Sequence, residues 1–416
     1  MKKYNLIVVG GGLTGVAAAV AAARQGLTVM LAERSGALGG AMNNCLVYPF
    51  MRYWTKMDDG STKLLSAGLF SEMRARHDDY KEPTEDYVFY TEYFKFVLDE
   101  MIVESNIDVL FHSTLSSVKT AGEKITSASF ATKAGIMEFE ADFFIDATGD
   151  GDLFYMAGCD YQLGREADGL CQPMTTCFRI ANVNYKKYYE QRDEIHEAYR
   201  EKQKLGLISN PRENILEFRG LGEGLMHLNT TRVIKLNPTD PFDISRAEIK
   251  ARKQIFEMFN FLKEYDAFKD SFIVSVAAEI GVRESRKLKG EHILTADELI
   301  ACTKFEDAIA LGNYDIDIHN PEGSGTSHRY FAQGEYYSIP YRSLLPKEFN
   351  NMLTAGRCLS ATHEAQASVR IMPICATTGE AAGTAAAIAY NSGTNAKTVD
   401  VKLIQEALRN NGAAID

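Results

Sequence analysis

Three glycines spaced as Gly10, Gly12 and Gly15 can do phosphate chemistry. In Gly-x-Gly-x-x-Gly the first glycine permits a tight turn and the second lets a pyrophosphate reach the backbone. The third lets a helix pack closely on a strand. A helix starting there offers free N–H groups and a partial positive charge to phosphate oxygens. Glu33 ends the next apolar run, where a carboxylate accepts ribose hydroxyls and repels a 2′-phosphate. A dinucleotide lacking that phosphate is therefore expected, NAD or FAD.

Proton and hydride chemistry has its candidates later in the chain. His363 and Arg370 fall between a late apolar strand and a last Ala-rich helix. A neutral imidazole can take a hydroxyl proton while hydride leaves. A guanidinium can bind a carboxylate or stabilise an anionic cofactor. The plainer readings are a satisfied buried imidazole for His363 and an ion pair with Glu364 for Arg370. His319, in Asp317-Ile318-His319-Asn320-Pro321, sits on an expected loop, where functional groups are often placed. Tyr337 and Arg342 mark a return toward the nucleotide and are candidates to line a substrate cleft. Arg283, Glu284 and Arg286 alternate in charge as ion-pair networks do, and Glu279 ends an apolar strand. Cys45 reads as a small buried hydrophobe. Tyr48, Phe50, Tyr53 and Trp54 read as core, with a stacking wall as the alternative.

The elements that must position these groups are legible from periodicity. Leu6 to Val9, Val16 to Gln25 and Leu27 to Ala32 form strand, helix and strand, about thirty residues in all. An amphipathic helix is expected over 86–105, with Tyr90, Phe94, Val97, Leu98 and Met101 on one face. Three strands follow as a meander: Phe111 to Val118, Lys124 to Thr132 and Gly135 to Glu140. A separate buried strand, Phe143 to Asp146, runs into Ala-Thr-Gly-Asp-Gly-Asp. The stretch from 156 to about 340 differs, with charged helices expected at 185–204 and 244–264. It also carries strands at Thr175 to Ile180 and Phe272 to Ala277, and a turn bracketed by Pro238 and Pro241. Asn351 to Ala355 resumes a buried strand, and a second Ala-rich helix is expected from Gly379 to Tyr390.

Composition sets outer limits. Hydrophobic residues make up 45% and charged residues 24%, an ordinary globular balance. A net charge of -11 argues against a broad nucleic-acid surface, which needs clustered Lys and Arg. The seven cysteines include no Cys-x-x-Cys and no metal-ligand spacing, so neither a metal site nor a redox disulfide is expected. With no apolar leader and no membrane span in the sequence, a cytoplasmic protein with reduced thiols is expected. The oligomeric state stays open, a homo-oligomer included.

Three features prefer FAD over NAD. Gly39 and Gly40 make a second small-residue turn soon after Glu33. Asp146-Ala147-Thr148-Gly149-Asp150 follows a buried strand, and Ala355-Gly356-Arg357 follows another late in the chain. A second helix after that return can stabilise negative charge on a reduced isoalloxazine.

On these residues the chain resembles the bacterial FAD-dependent oxidoreductases with a glutathione-reductase-like FAD-binding fold. The matching stretches include VVGGGLTGVAAAVAAARQG, LAERSGALGG, IDATGDGD, YDIDIHNP, YSIPYRSLLP and NMLTAGRCLSATHEAQASVRIMP. The resemblance implies an α/β architecture: a Rossmann-like FAD-binding domain built from 1–155 and 340–416 around an inserted α+β substrate domain, 156–339. It implies non-covalent FAD beside Gly10, Gly12, Leu13, Thr14, Gly15, Glu33, Arg34, Gly39, Gly40, Val118, Thr148, Gly149, Asp150, Gly356, Arg357 and Gly379. Val118 enters because related folds use a backbone amide there on the adenine. The resemblance implies an FAD-dependent oxidoreductase; the residues themselves favour dehydrogenation of a CH–OH or CH–CH unit in a small organic substrate, with an unknown electron acceptor. His363 is the candidate base, Arg370 the anchor, and His319 a further catalytic candidate. A C=C reductase, a monooxygenase or halogenase, and a non-catalytic flavoprotein are the alternatives. With no second Gly-x-Gly-x-x-Gly after a strand, a pyridine-nucleotide disulfide reductase is not expected.

Overall fold

A computed structural model describes residues 2–80, 88–220 and 222–416. Its largest sheet has a parallel core. Lys3–Val9 lies between Val29–Ala32 and Gly135–Asp146, Asp108–Leu110 extends one side, and Met352–Thr354 pairs with the end of Gly135–Asp146. All four residues of Val29–Ala32 are buried, as a strand covered on both faces requires. The N- and C-terminal parts of the chain thus share one sheet.

The expected meander is present as Thr114–Ala121, Lys124–Thr132 and Gly135–Asp146. Its last strand corrects the expectation of two separate strands. Residues 135–140 pair antiparallel with Lys124–Thr132, while 140–146 run parallel to Lys3–Val9. Glu140 belongs to both ladders, and Ala141 pairs with Tyr4, so no break is needed.

Two Ala-rich helices, Leu13–Ala23 and Met372–Asn391, cross at very close range. A Cβ on Gly379 would stand 2.1 Å from the Thr14 carbonyl oxygen, and one on Gly383 would stand 2.0 Å from that of Ala18. The second helix starts at Met372, about two turns before Gly379. Pro373 in its first turn marks that start, where the missing N–H costs nothing. The earlier amphipathic helix is Thr91–Glu104, with Phe94, Val97, Leu98 and Met101 buried. Its expected beginning at 86–87 lies outside the described residues.

Within 156–339 the packing divides. Glu217–Arg219, Met226–Leu228, Phe178–Ala181 and Phe272–Val276 form a four-stranded sheet under Tyr185–Lys204 and Pro241–Leu262. These enclose their own hydrophobic cluster, from Phe178 to Phe268. Leu294, Leu299, Ile309 and Ile339 instead pack into the cluster around the two Ala-rich helices. Pro241 opens its helix behind Asp240, whose carboxylate caps the Phe242 and Asp243 N–H groups, so the helix begins earlier than 244. Glu217–Arg219 and Met226–Leu228 pair antiparallel, so the glycines between them in sequence do not stand in the strand-to-helix setting of a phosphate turn. Among the described residues no helix is long and apolar enough to cross a membrane.

Glu380, on the second Ala-rich helix, is 1% exposed. One carboxylate oxygen accepts the Leu69 N–H at 2.9 Å, and the other is buried with no hydrogen-bond partner. Burial pushes its pKa up to about 7. A folded-state pKa above the unfolded value gives stability that is complete below the ordinary carboxylate range and is lost as pH rises through about 7. Glu380→Gln keeps an acceptor for Leu69 and removes the charge. The variant should match the parent at pH 4 and be more stable at pH 8, by up to about 3 kcal/mol in urea titrations. An equal difference at both pH values would reject the assignment.

Candidate functional site

One cavity of about 520 Å³ runs from the first glycine turn to the inserted segment. Gly10, Gly12, Leu13 and Thr14 line it at the turn. Gly10 has φ +103°, and a Cβ on it would meet the Ala147 carbonyl oxygen at 2.4 Å. Gly15 is pressed on Gly10 itself, with a Cβ-to-oxygen distance of 1.8 Å. Gly12 differs: a Cβ there would find no protein atom nearer than Gly40 Cα, 3.9 Å away. Packing demands glycine at 10 and 15. At 12 the space left open is that of the cavity.

Glu33 lines the cavity while accepting the Gly11 and Ser35 N–H groups, each at 2.7 Å. Two lone-pair positions remain for ribose hydroxyls. Gly39 and Gly40 lie directly on the first turn through a bridge between Gly12 and Gly39. Arg34 also lines the cavity and is ion-paired with Glu279. Thr148, Gly149, Asp150 and Arg357 close this end. Asp146 sits beneath them and gathers the Thr148, Leu153 and Phe154 N–H groups and the Thr148 hydroxyl. Burial pushes its pKa up to about 6 against those bonds. Burial would raise Asp150 too, but Arg357, 2.8 Å away, and the Ser285 hydroxyl, 2.6 Å away, hold it below its ordinary range.

Four residues expected beside the cofactor do not line the cavity: Gly15, Val118, Gly356 and Gly379. The first and last serve close packing. Gly356 has φ +77° and abuts Thr14. Val118 packs into the second hydrophobic cluster, and Ser113, Thr114 and Leu115 hold the cavity wall instead.

The other end gathers Arg212, Arg283, Tyr314, Asp317, His319, His328 and Arg370. His319 Nδ1 faces Arg232 Nη2 at 3.0 Å; a guanidinium only donates, so Nδ1 accepts and the proton is on Nε2. Nε2 lies 3.3 Å from Asp317. Burial, then the charge of Arg283, hold His319 neutral by pushing its pKa well down. Tyr314 donates to Asp317 at 2.9 Å, and Arg370 lies 3.7 Å from it. Burial would raise the Asp317 pKa; its hydrogen bonds and Arg370 outweigh that and hold it well below the carboxylate range.

His363 is not among these groups. It sits on the His363–Val369 helix, outside the cavity lining, 2.8 Å from Glu284, which also grips Lys287. The imidazole is therefore anchored through Nδ1 on a buried carboxylate, outside the lining of the cavity in which it was expected to act as base. Tyr337 is buried, with its hydroxyl on Ser368 at 2.6 Å. Arg342 is paired with Asp307 at 2.9 Å on the surface side. Neither lines the cavity, so both substrate-binding assignments are corrected. Arg286 pairs with Asp152 at 3.0 Å as a charge network would. Tyr48 and Cys45 line the cavity, whereas Phe50 and Tyr53 are core. Sequence patterns did not single out Arg212, Tyr314 or Asp317. Asp317 and His319 alternate on the Ile316–His319 strand, but that spacing alone carries no chemistry.

A parallel sheet, a glycine turn opening a helix, and a cavity reaching from that turn past a buried carboxylate define a dinucleotide-binding flavoprotein. The open space at Gly12 and the acceptor at Glu33 suit the ADP half of FAD. The chain belongs to the FAD dependent oxidoreductase family, which it matches over residues 5–408. It has the family's mixed α/β FAD-binding fold and its broad FAD-dependent oxidoreductase activity. No curated protein matches the chain. Among solved structures, the p-nitrophenol 4-monooxygenase PnpA from Pseudomonas putida DLL-E4 is 11% identical with a TM-score of 0.50, covering 98% of this chain and 84% of that one. A geranylgeranyl bacteriochlorophyll reductase-like protein from Thermoplasma acidophilum is 14% identical at a TM-score of 0.46, covering 98% and 83%. The flavin-dependent brominase Bmp2 is 11% identical at 0.49, covering 98% and 84%. At such identities a likeness concerns the fold alone.

Gly12→Val tests the phosphate site. A Cβ at this position meets no protein atom nearer than 3.9 Å, so the variant is expected to fold and keep its melting temperature without cofactor. It should lose the flavin absorption of the purified protein, because the side chain fills the pyrophosphate's space. Full flavin content in the variant would remove the assignment.

Proposed function

We propose that the protein exchanges hydride between non-covalently held FAD and a small organic substrate, and that the favoured direction is reduction of an activated C=C bond. The observation behind this is the imbalance of proton holders and bases at the far end of the cavity. Arg212, Arg283, Arg370 and Tyr314 all carry protons there. His363 lies outside the cavity lining with Nδ1 on Glu284, and both nitrogens of His319 are engaged. Bound FAD would supply the two-electron hydride donor, itself reduced by an electron carrier of unknown identity. The chain's own groups position the substrate and give the proton. The Tyr314 hydroxyl donates to Asp317 before substrate binds and would turn its one proton to the substrate on binding; burial, then that carboxylate, pushes its pKa up and keeps it protonated until then. Non-covalent attachment fits the cysteines of the lining. Burial pushes the Cys177 and Cys375 thiols up to about 12 and Cys45 higher still, which makes poor nucleophiles.

Dehydrogenation of a CH–OH or CH–CH unit is the second reading. Asp317 supports it, because its Oδ1 is buried and has no hydrogen-bond partner, leaving one acceptor in the wall. Stopped-flow absorbance separates the two. Anaerobic oxidised enzyme bleached by an alcohol or saturated compound selects dehydrogenation. Dithionite-reduced enzyme recoloured by an unsaturated compound selects reduction. Recolouring by O2 through a long-lived hydroperoxide spectrum would select a monooxygenase or halogenase instead.

Tyr314→Phe should slow substrate-dependent recolouring by about 100-fold or more at unchanged flavin content. His363→Ala should leave that rate unchanged while lowering thermal stability, since Glu284 loses a buried partner. A slow His363→Ala enzyme with intact stability would restore His363 as the proton carrier.

A further inference from the structure

The far end of the cavity holds more cation than the chain's own acids neutralise. Arg212, Arg283 and Arg370 line it, and Arg232, 1% exposed, stands behind them on His319. Among the described residues the carboxylates paired with these four guanidiniums are Asp317, at 3.7 Å from Arg370, and the half-exposed Glu213, at 3.7 Å from Arg232. Asp317 is already shared with His319 and Tyr314. Arg283 donates only to neutral oxygens, those of Pro173 and Thr175, at 2.7 and 2.6 Å. Arg212 is 6% exposed; its Nε donates to Asn214, but its Nη1 is buried and has no partner. The Nε of Arg370 is buried and without a partner too. Burial lowers the pKa of Arg212, Arg232 and Arg283; neighbouring guanidiniums lower Arg232 and Arg283 further, the latter to about 9.

Buried charges in proteins are paired or hold an ion. These donors lie apart from the pyrophosphate turn: Arg34 interacts with Glu279, Asp150 and Glu33, whereas Arg283 interacts with Arg370, Arg212, Arg232 and Asp317. In the same cavity Tyr48, Met51, Leu216 and Phe218 form an apolar wall. The site is therefore two-sided, with forked donors on one part and apolar surface on another.

We propose, resting on the hydride-exchange reading above, that the substrate is an organic oxyanion, with its carboxylate or phosphate-ester oxygens held by Arg212 and Arg283. Its carbon skeleton lies along Tyr48, Met51 and Phe218. A guanidinium fork matches two oxygens of such a group at once, which fixes the reacting carbon as well as binding it. An anion beside the substrate double bond also draws charge toward the cations when hydride arrives.

The purified holoenzyme is titrated with sodium succinate, sodium benzoate and inorganic phosphate. Both the flavin difference spectrum and the heat of binding are followed. A saturable change with a carboxylate or with phosphate is expected, and the arm that responds identifies the oxyanion. Arg212→Gln should weaken that binding about tenfold or more, and Arg212→Lys, which keeps the charge but not the fork, should recover part of it. Arg283→Lys gives a second variant should Arg212→Gln fold poorly. Intact flavin with no binding of any probe would overturn the proposal, as would binding unmoved by these variants. Protein that retains no FAD yet binds a probe in an Arg212-dependent way would leave the anion site standing and remove the hydride-exchange reading.

Discussion

The close crossing of the two Ala-rich helices is the contact on which the site depends. Side chains larger than hydrogen at Gly379 and Gly383 would strike the Thr14 and Ala18 carbonyls, so the second Ala-rich helix lies in backbone contact with the first. That contact brings the start of the second Ala-rich helix to the glycine turn, and Ile371, Met372 and Cys375 into the cavity wall. Arg370 precedes this start directly. Two distant parts of the chain are thereby joined at one cavity, and the inserted segment between them completes its far side.

The glycine turn was legible because everything it needs is local. Gly10 requires a left-handed φ, Gly15 a close approach, and Glu33 the end of the neighbouring strand, all within one short unit. The second helix was misplaced for an equally local reason. Its Ala and Gly pattern is strongest from Gly379, but Pro373 carried the start signal. Val118 was assigned through resemblance, and its side chain belongs to a hydrophobic cluster several residues along the strand from the cavity.

The polar end was poorly legible because its members come from separate elements. Arg212, Arg283, Asp317 and Arg370 have no mutual spacing that a sequence could display, and only the fold makes them neighbours. His363 shows the converse. Its neighbours in sequence suited a base, yet Glu284, paired also with Lys287 three residues on, claims it. Both sites bury charge, and they differ in completeness. Glu284, Lys287 and His363 satisfy one another, whereas Arg212 and Arg370 keep donors with no acceptor. The unfinished set is the one that faces the cavity.

The strand Gly135–Asp146 couples the outer meander to the nucleotide turn through a single unbroken backbone. Its outer half sits in the meander and its inner half delivers Asp146 beneath Thr148. The two ladders therefore share one phase. Adding or deleting a residue near Ala141 would invert the pleat on one side of that point and would turn either Phe143 and Ile145 or Phe139 to the wrong face. Residues added at the hairpin tips leave that phase untouched, whereas a single residue added along this strand has to be absorbed as a bulge.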